Sequence, residues 1–227
     1  MQKAYFNWSS GKDSALALYR ALHSGRYSVE ALLSVVKADC GRIAMHEIGV
    51  DLLRRQAQSI GIPLTIVRFD PNASESYGTA MREQMKRFAS QNITTALFGD
   101  LYFEQLRKSR EQKCAEAGIR AGFPLWGIPQ EEIMREFLRL GFKAVVTCVD
   151  GSVLPDEWVG REIDEAFLQA YPPGANLCGE NGEYHSFVYD GPIFERPVAF
   201  VQKGKYYMDF LDADTGRSHR YWYLKLE

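Results

Sequence analysis

The chain has 227 residues, 46% hydrophobic and 25% charged, the proportions of an ordinary globular protein with length for one large domain or two small ones. Lys and Arg number 27 against 29 Asp and Glu, a formal net charge of −2, so the broad basic footprint of a nucleic-acid binder is absent and nucleic acid is not expected as a partner. Cys40, Cys114, Cys148 and Cys178 form no closely spaced pair, which argues against zinc ligation and dithiol redox chemistry.

No apolar run approaches the roughly 18 residues that span a bilayer, and "MQKAYFNW" lacks the order of a secretory leader. A cytoplasmic protein with free thiols and no membrane partner is the expectation. Along the chain, residues 3–8 predict a strand and 12–24 a helix with Ala15, Leu18, Ala21 and Leu22 on one face. Residues 29–37, "VEALLSVVK", form a near-continuous apolar strand of the kind buried on both faces. Residues 46–60 predict a helix stopped by Gly61 and Pro63. A third strand at 63–69, a helix at 74–90, a fourth strand at 94–99 and a helix at 103–117 closed by Gly118 complete the first half.

This alternation predicts βαβ crossovers, hence an α/β fold with a doubly wound parallel sheet. Ligands of such sheets bind beyond the carboxyl ends of the strands, which groups the loops after residues 8, 37, 69 and 99 around one crevice. The second half holds seven of the nine prolines. It predicts an αβ unit at 130–150, a short helix at 160–170 and strands at 185–190, 198–210 and 219–226. The last two flank "DADTGRS" and read as antiparallel, giving a smaller α+β region. A boundary near residue 120 divides 1–120 from 121–227.

Between the first strand and first helix stands Ser9-Ser10-Gly11-Lys12-Asp13-Ser14. A strand, a small polar loop and a helix make a plan for holding an anion, because the first helical N–H groups lack intrahelical partners and the dipole favours negative charge. Gly11 allows close backbone approach, the serines supply hydroxyls, and Lys12 supplies a mobile positive charge. Asp13 would repel phosphate unless a cation intervened, which suggests Mg²⁺. The GxxxxGK[ST] spacing of a Walker A loop is absent. A capped turn is the plain alternative, since Ser and Asp are favoured N-caps.

The stretch resembles the SGGxDS pyrophosphate loop of the N-type ATP pyrophosphatases. The whole chain resembles one branch of that superfamily, the diphthine–ammonia ligases, in "FGDLYFEQLRKSREQKCAEAG" (98–118), "PLWG" (124–127), "GF…VDG" (141–151), "WVGREID" (158–164) and "CGENGEYHSFVYDGPIF" (178–194). Two departures stand out. Ser10 replaces the usual second glycine, and the chain ends at Glu227, short of the extra C-terminal domains of eukaryotic members, so a compact member is expected.

The resemblance implies an adenine-nucleotide domain at 1–120 followed by an acceptor domain at 121–227. It also implies ATP-dependent amidation, in which a carboxylate attacks the α-phosphate, pyrophosphate leaves and ammonia displaces AMP. The implied cofactors are ATP and Mg²⁺. The implied partners are ammonia or ammonium and a carboxylate acceptor, free or on a protein; a homodimer is an open expectation. Ser9, Ser10, Gly11, Lys12, Asp13, Ser14, Gly99 and Asp100 are the nucleotide-binding candidates, with Asp13 and Asp100 as metal ligands.

Glu180, Glu183 and His185 cluster in the glycine-bracketed "CGENGEYHS", and with Asp13 are the catalytic candidates, suited to binding the acceptor or taking a proton from ammonium. Glu104, Arg107, Arg110 and Glu111 read mainly as a solvated helix face. His23 and His46 are less promising. A tRNA-modifying relative and a nucleotide-binding regulator without turnover are the alternative functions; formation of AMP and pyrophosphate separates the ligase from the regulator.

Overall fold

The computed structural model describes residues 1–73, 75–211 and 218–227. Its first half alternates β1 (Gln2–Asn7), α1 (Lys12–His23), β2 (Tyr27–Lys37), α2 (Val50–Ile60), β3 (Leu64–Phe69), α3 (Ser76–Ser90), β4 (Thr95–Leu97), α4 (Glu104–Glu116) and β5 (Arg120–Gly122). The five strands pair in parallel in the order β3-β2-β1-β4-β5. The doubly wound sheet expected from the alternation is present.

α2 begins at Val50 rather than 46. Met45 and Glu47 hold φ of 63° and 55°, outside the helical region, so the turn before Gly49 cannot join the helix. The helix ends where the glycine signal predicts, with Gly61 left-handed and its N–H donating to the Ala57 carbonyl. β5 has only three residues, too few for a periodicity to show. The expected start of the third helix includes residue 74, which lies outside the described residues.

The second half contains α5 (Gln130–Arg139), β6 (Lys143–Asp150), α6 (Glu165–Ala170), β7 (Tyr184–Asp190), β8 (Gln202–Leu211) and β9 (Ser218–Leu226). Its strands form an antiparallel sheet, β7-β6-β9-β8, so the strand of the 130–150 unit joins this sheet and not the parallel one. α6 starts at Glu165, five residues later than expected, because the Asp164 side chain caps it by accepting from the Phe167 N–H. The "DADTGR" part of the expected turn, 212–217, lies outside the described residues.

One apolar cluster runs through both halves, joining Leu16 and Leu18 of α1 to Met134 and Phe137 of α5 and Val145 and Phe187 of β6 and β7. Each large aliphatic side chain buried there contributes about 1.5–3 kcal/mol. A smaller cluster of Tyr5, Leu33, Met85 and Phe88 covers the other face of the parallel sheet, with Tyr5 and Phe88 stacked at 4.5 Å. All four cysteines are free. Among the described residues, no helix is long and apolar enough to cross a membrane.

Candidate functional site

The strand order reverses between β1 and β4, so the loops leaving Asn7 and Leu97 splay apart at the carboxyl edge and open a crevice. A cleft of about 530 Å³ lies there, a volume usual for small-molecule sites. Ser9, Gly11, Lys12, Asp13 and Ser14 line it from the loop after β1, and Gly99 and Asp100 from the loop after β4. The second half closes it with Glu180 and His185.

The loop is folded by its own hydroxyls. Ser9 Oγ lies 2.7 Å from Ser14 Oγ, the Ser9 N–H donates to Ser14 Oγ, and the Gly11 N–H to Ser9 Oγ. β7 then fastens it: Val188 N–H donates to the Ser10 carbonyl at 2.9 Å, and Lys12 N–H to Ser186 Oγ at 3.1 Å. Gln56, fully buried on α2, donates to the Ser10 and Val188 carbonyls and accepts from the Trp8 indole. At Gly11 a Cβ would stand 3.2 Å from the Ser186 carbonyl and 3.3 Å from His46 Cε1, so the contact with β7 leaves little room for a larger residue. A Cβ at Gly99 would meet the backbone of Asp13 and Ser14 at 3.1 Å, which lets the loop after β4 press against the start of α1.

Ser10 departs from its expected role. It is fully buried, lies outside the cleft lining and holds φ of 74°, with no hydrogen-bond partner for its hydroxyl among the described residues. Its backbone carbonyl is what the site uses.

Lys12 is 3% exposed and donates to both Asp13 carboxylate oxygens at 2.7–2.8 Å and to the Cys178 carbonyl. Burial alone would lower its pKa; the Asp13 carboxylate outweighs that and holds the ammonium above its ordinary value. Asp100 pairs with Arg110 at 2.5 Å, and Arg110 packs over the Phe98 ring at 4.5 Å. Arg110 thereby belongs to the cleft, whereas Arg107 pairs with Glu111 on the outer face of α4.

Glu180 comes into this cluster from the second half. Burial, with Asp13 and Asp100 adding and Lys12 opposing, pushes its carboxyl up to about 7. Glu183 does not join it. It is 5% exposed and accepts from the Asn176 N–H, the Asn181 N–H and the Asn181 side-chain amide at 2.9–3.0 Å, which fixes the 176–183 loop from inside. The sequence cluster thus splits into one carboxylate in the cleft and one in the scaffold.

His185 lines the cleft, and burial with Lys12 nearby lowers it to about 4. At that value the ring is neutral at pH 7. His46, discounted in the sequence, stacks on it at 4.4 Å. Nothing in the spacing of Gln56 or His46 announced them; each reaches the site through tertiary packing.

Asp13, Asp100 and Glu180 offer hard oxygens suited to Mg²⁺ alongside phosphate oxygens and water. Among the described residues no group of three or more His, Cys, Asp or Glu could hold a metal on its own. An ion held by these carboxylates would draw its remaining oxygens from a ligand or water.

Residues 2–121 match the family model described as "Diphthamide synthase N-terminal domain", and 129–216 the one described as "Diphthamide synthase C-terminal domain". The chain is similar to the "Diphthine--ammonia ligase" of Danio rerio, 25% identical over 217 residues that cover 84% of this chain and 83% of that protein. It is likewise similar to the Rattus norvegicus protein of the same name, 22% identical over 84% of this chain and 79% of that one. A shorter stretch of 93 residues, 39% of this chain and 35% of the relative, is 30% identical to the Homo sapiens protein of that name.

Proposed function

Because the chain belongs to the diphthamide synthase family, we propose that it is an ATP-dependent amide ligase joining ammonia to a carboxylate acceptor, with diphthine the acceptor that its relatives' names point to. The acceptor carboxylate attacks the α-phosphorus and the bond to the β-phosphate breaks, releasing pyrophosphate. Ammonia then attacks the carbonyl carbon of the mixed anhydride, AMP leaves, and the nitrogen gives up a proton.

The chemistry asks for phosphate positioning and charge neutralisation more than for a protein nucleophile. The loop after β1 and the N-terminal end of α1 would cradle the phosphates. Lys12 would hold Asp13 in place and lend positive charge. Asp13 and Asp100 are the carboxylates that would hold Mg²⁺, whose contribution would be to neutralise phosphate charge. Glu180 would take the proton from the attacking amine. Glu183 would act only by fixing the loop that carries Glu180. The four free cysteines accord with a cytoplasmic place of work.

The observation that carries this reading is Glu180 standing with Asp13 and Asp100 in one cleft, which joins the acceptor half to the phosphate loop. Glu180→Gln tests it. Mg·ATP affinity measured by calorimetry should stay within about threefold of the parent, while AMP formation falls by roughly 10²–10⁴, the usual worth of a positioned general base. Full turnover in Glu180→Gln sinks the assignment, and a collapse of Mg·ATP binding moves Glu180 to the nucleotide instead.

A further inference from the structure

Residues 43–48 make a tight turn whose conformation the local sequence does not favour. Met45 and Glu47, on either side of His46, both have positive φ, a backbone state disfavoured for residues with a Cβ and concentrated at functional sites. The turn is closed by Ile43 N–H to the Ile48 carbonyl and by Glu47 N–H to the Ile43 carbonyl. It is braced from outside by Lys37 on the Glu47 carboxylate at 2.6 Å and Arg42 on the Glu47 carbonyl at 2.7 Å.

What this bracing holds in place is the His46 ring. It tilts 35° over His185 with centroids 4.4 Å apart, and its Cε1 sits where a Cβ on Gly11 would need to be. Both rings line the cleft. His46 Nδ1 is buried with no hydrogen-bond partner among the described residues. A buried unpartnered nitrogen is costly, and a ligand group beside it would remove that cost.

The surroundings select the ligand. From α1 come Lys12 and its partner Asp13; from the turn itself, Glu47 is tied to Lys37; from β7 and its loop, Glu183 is turned inward and Glu180 stands with Asp13 and Lys12; from the loop after β4, Asp100 is paired with Arg110. Two imidazoles beside a lysine and the N-terminal end of a helix offer hydrogen bonds to an anion.

We propose that His46 and His185 bind the terminal phosphate of ATP and the departing pyrophosphate, so that the cleft reads the length of the phosphate chain. The inference rests on the reading that the cleft takes ATP.

The test uses the whole protein with Mg²⁺ and inorganic pyrophosphate, Mg·ATP and AMP as separate probes, in calorimetry between pH 6 and 8. His46→Gln and His185→Gln should each weaken pyrophosphate and Mg·ATP by about tenfold or more and leave AMP within about twofold. In the parent, the imidazole nitrogen NMR signals of His46 and His185 should move on adding pyrophosphate and stay in place on adding AMP. These NMR signals need no variant, so they decide even if a substitution unfolds the turn. Parallel loss of AMP affinity would put the pair on the nucleoside and overturn the proposal. Unchanged pyrophosphate affinity in folded variants, or unmoved imidazole signals in the parent, overturns it while leaving the ligase reading intact. A parent that binds neither pyrophosphate nor nucleotide removes both.

Discussion

Ser10 shows how far a single residue can be read from sequence. Its departure from a glycine in the resembling loops was visible, but the reason glycine suits the position appears only in the φ of 74° and the stranded hydroxyl. A left-handed conformation costs a residue with a Cβ roughly 1–2 kcal/mol, partly offset by the greater chain entropy that glycine loses. Ser10→Gly should therefore raise the melting temperature by about 2–4 °C, what roughly 1 kcal/mol is worth at this chain length, and keep or raise nucleotide affinity. A lower melting temperature would show that the hydroxyl has a partner in solution. Glu180 gives a second residue-scale expectation, for protein kept metal-free with a chelator. Its carboxyl titrates near 7 in the fold against 4.5 in the open chain, so the folded state binds the extra proton between those values. Stability is lost as pH rises through that window, and the penalty is complete above 7. Glu180→Gln should melt above the parent at pH 8 and converge with it near pH 5; a constant difference across that range would mean that Glu180 is not held in its protonated form.

Among the elements, the helix–strand alternation of the first half was legible because β2 is a near-continuous apolar run and α2 and α4 run into Gly61 and Gly118. The placement of the second half's strands in an antiparallel sheet was only partly so, since a strand's pairing partner leaves no local mark. The same limit hid the fastening of β7 onto the loop after β1. Gln56, an ordinary polar residue in an amphipathic pattern, is the hub of that junction. Gln56→Leu would strand the Trp8 indole N–H and the Val188 carbonyl, costing at least about 2 kcal/mol at 1–3 kcal/mol for each buried group left unpaired. That corresponds to a fall of about 4–8 °C in thermal melts. A neutral effect would mean that β7 does not need this bond. The 176–183 loop behaves likewise: Glu183→Gln puts an amide among three donors, and should lower the melting temperature before it alters any chemical step. An unchanged melting temperature with lost turnover would return Glu183 to the acceptor.

Across the whole molecule, a boundary near residue 120 can be drawn in the chain, yet the largest apolar cluster crosses it through α1, α5, β6 and β7. Two regions that share a core and a hydrogen-bonded junction should unfold together. Scanning calorimetry of the full chain is expected to show one transition with equal calorimetric and van't Hoff enthalpies, and two resolved transitions would contradict the shared core. That union also explains why the site was half visible in sequence: Ser9, Gly11, Asp13 and Ser14 form a local motif, whereas Glu180, His185 and His46 meet it only after β7 docks. The most direct test of the account is the nucleotide product. With Mg·ATP, ammonium and a diphthine-bearing acceptor, the protein should release AMP and pyrophosphate in equal amounts, only when both ammonium and acceptor are present, and Asp13→Asn should abolish that release. ADP and phosphate as products, or saturable ATP binding with no turnover under those conditions, would contradict it.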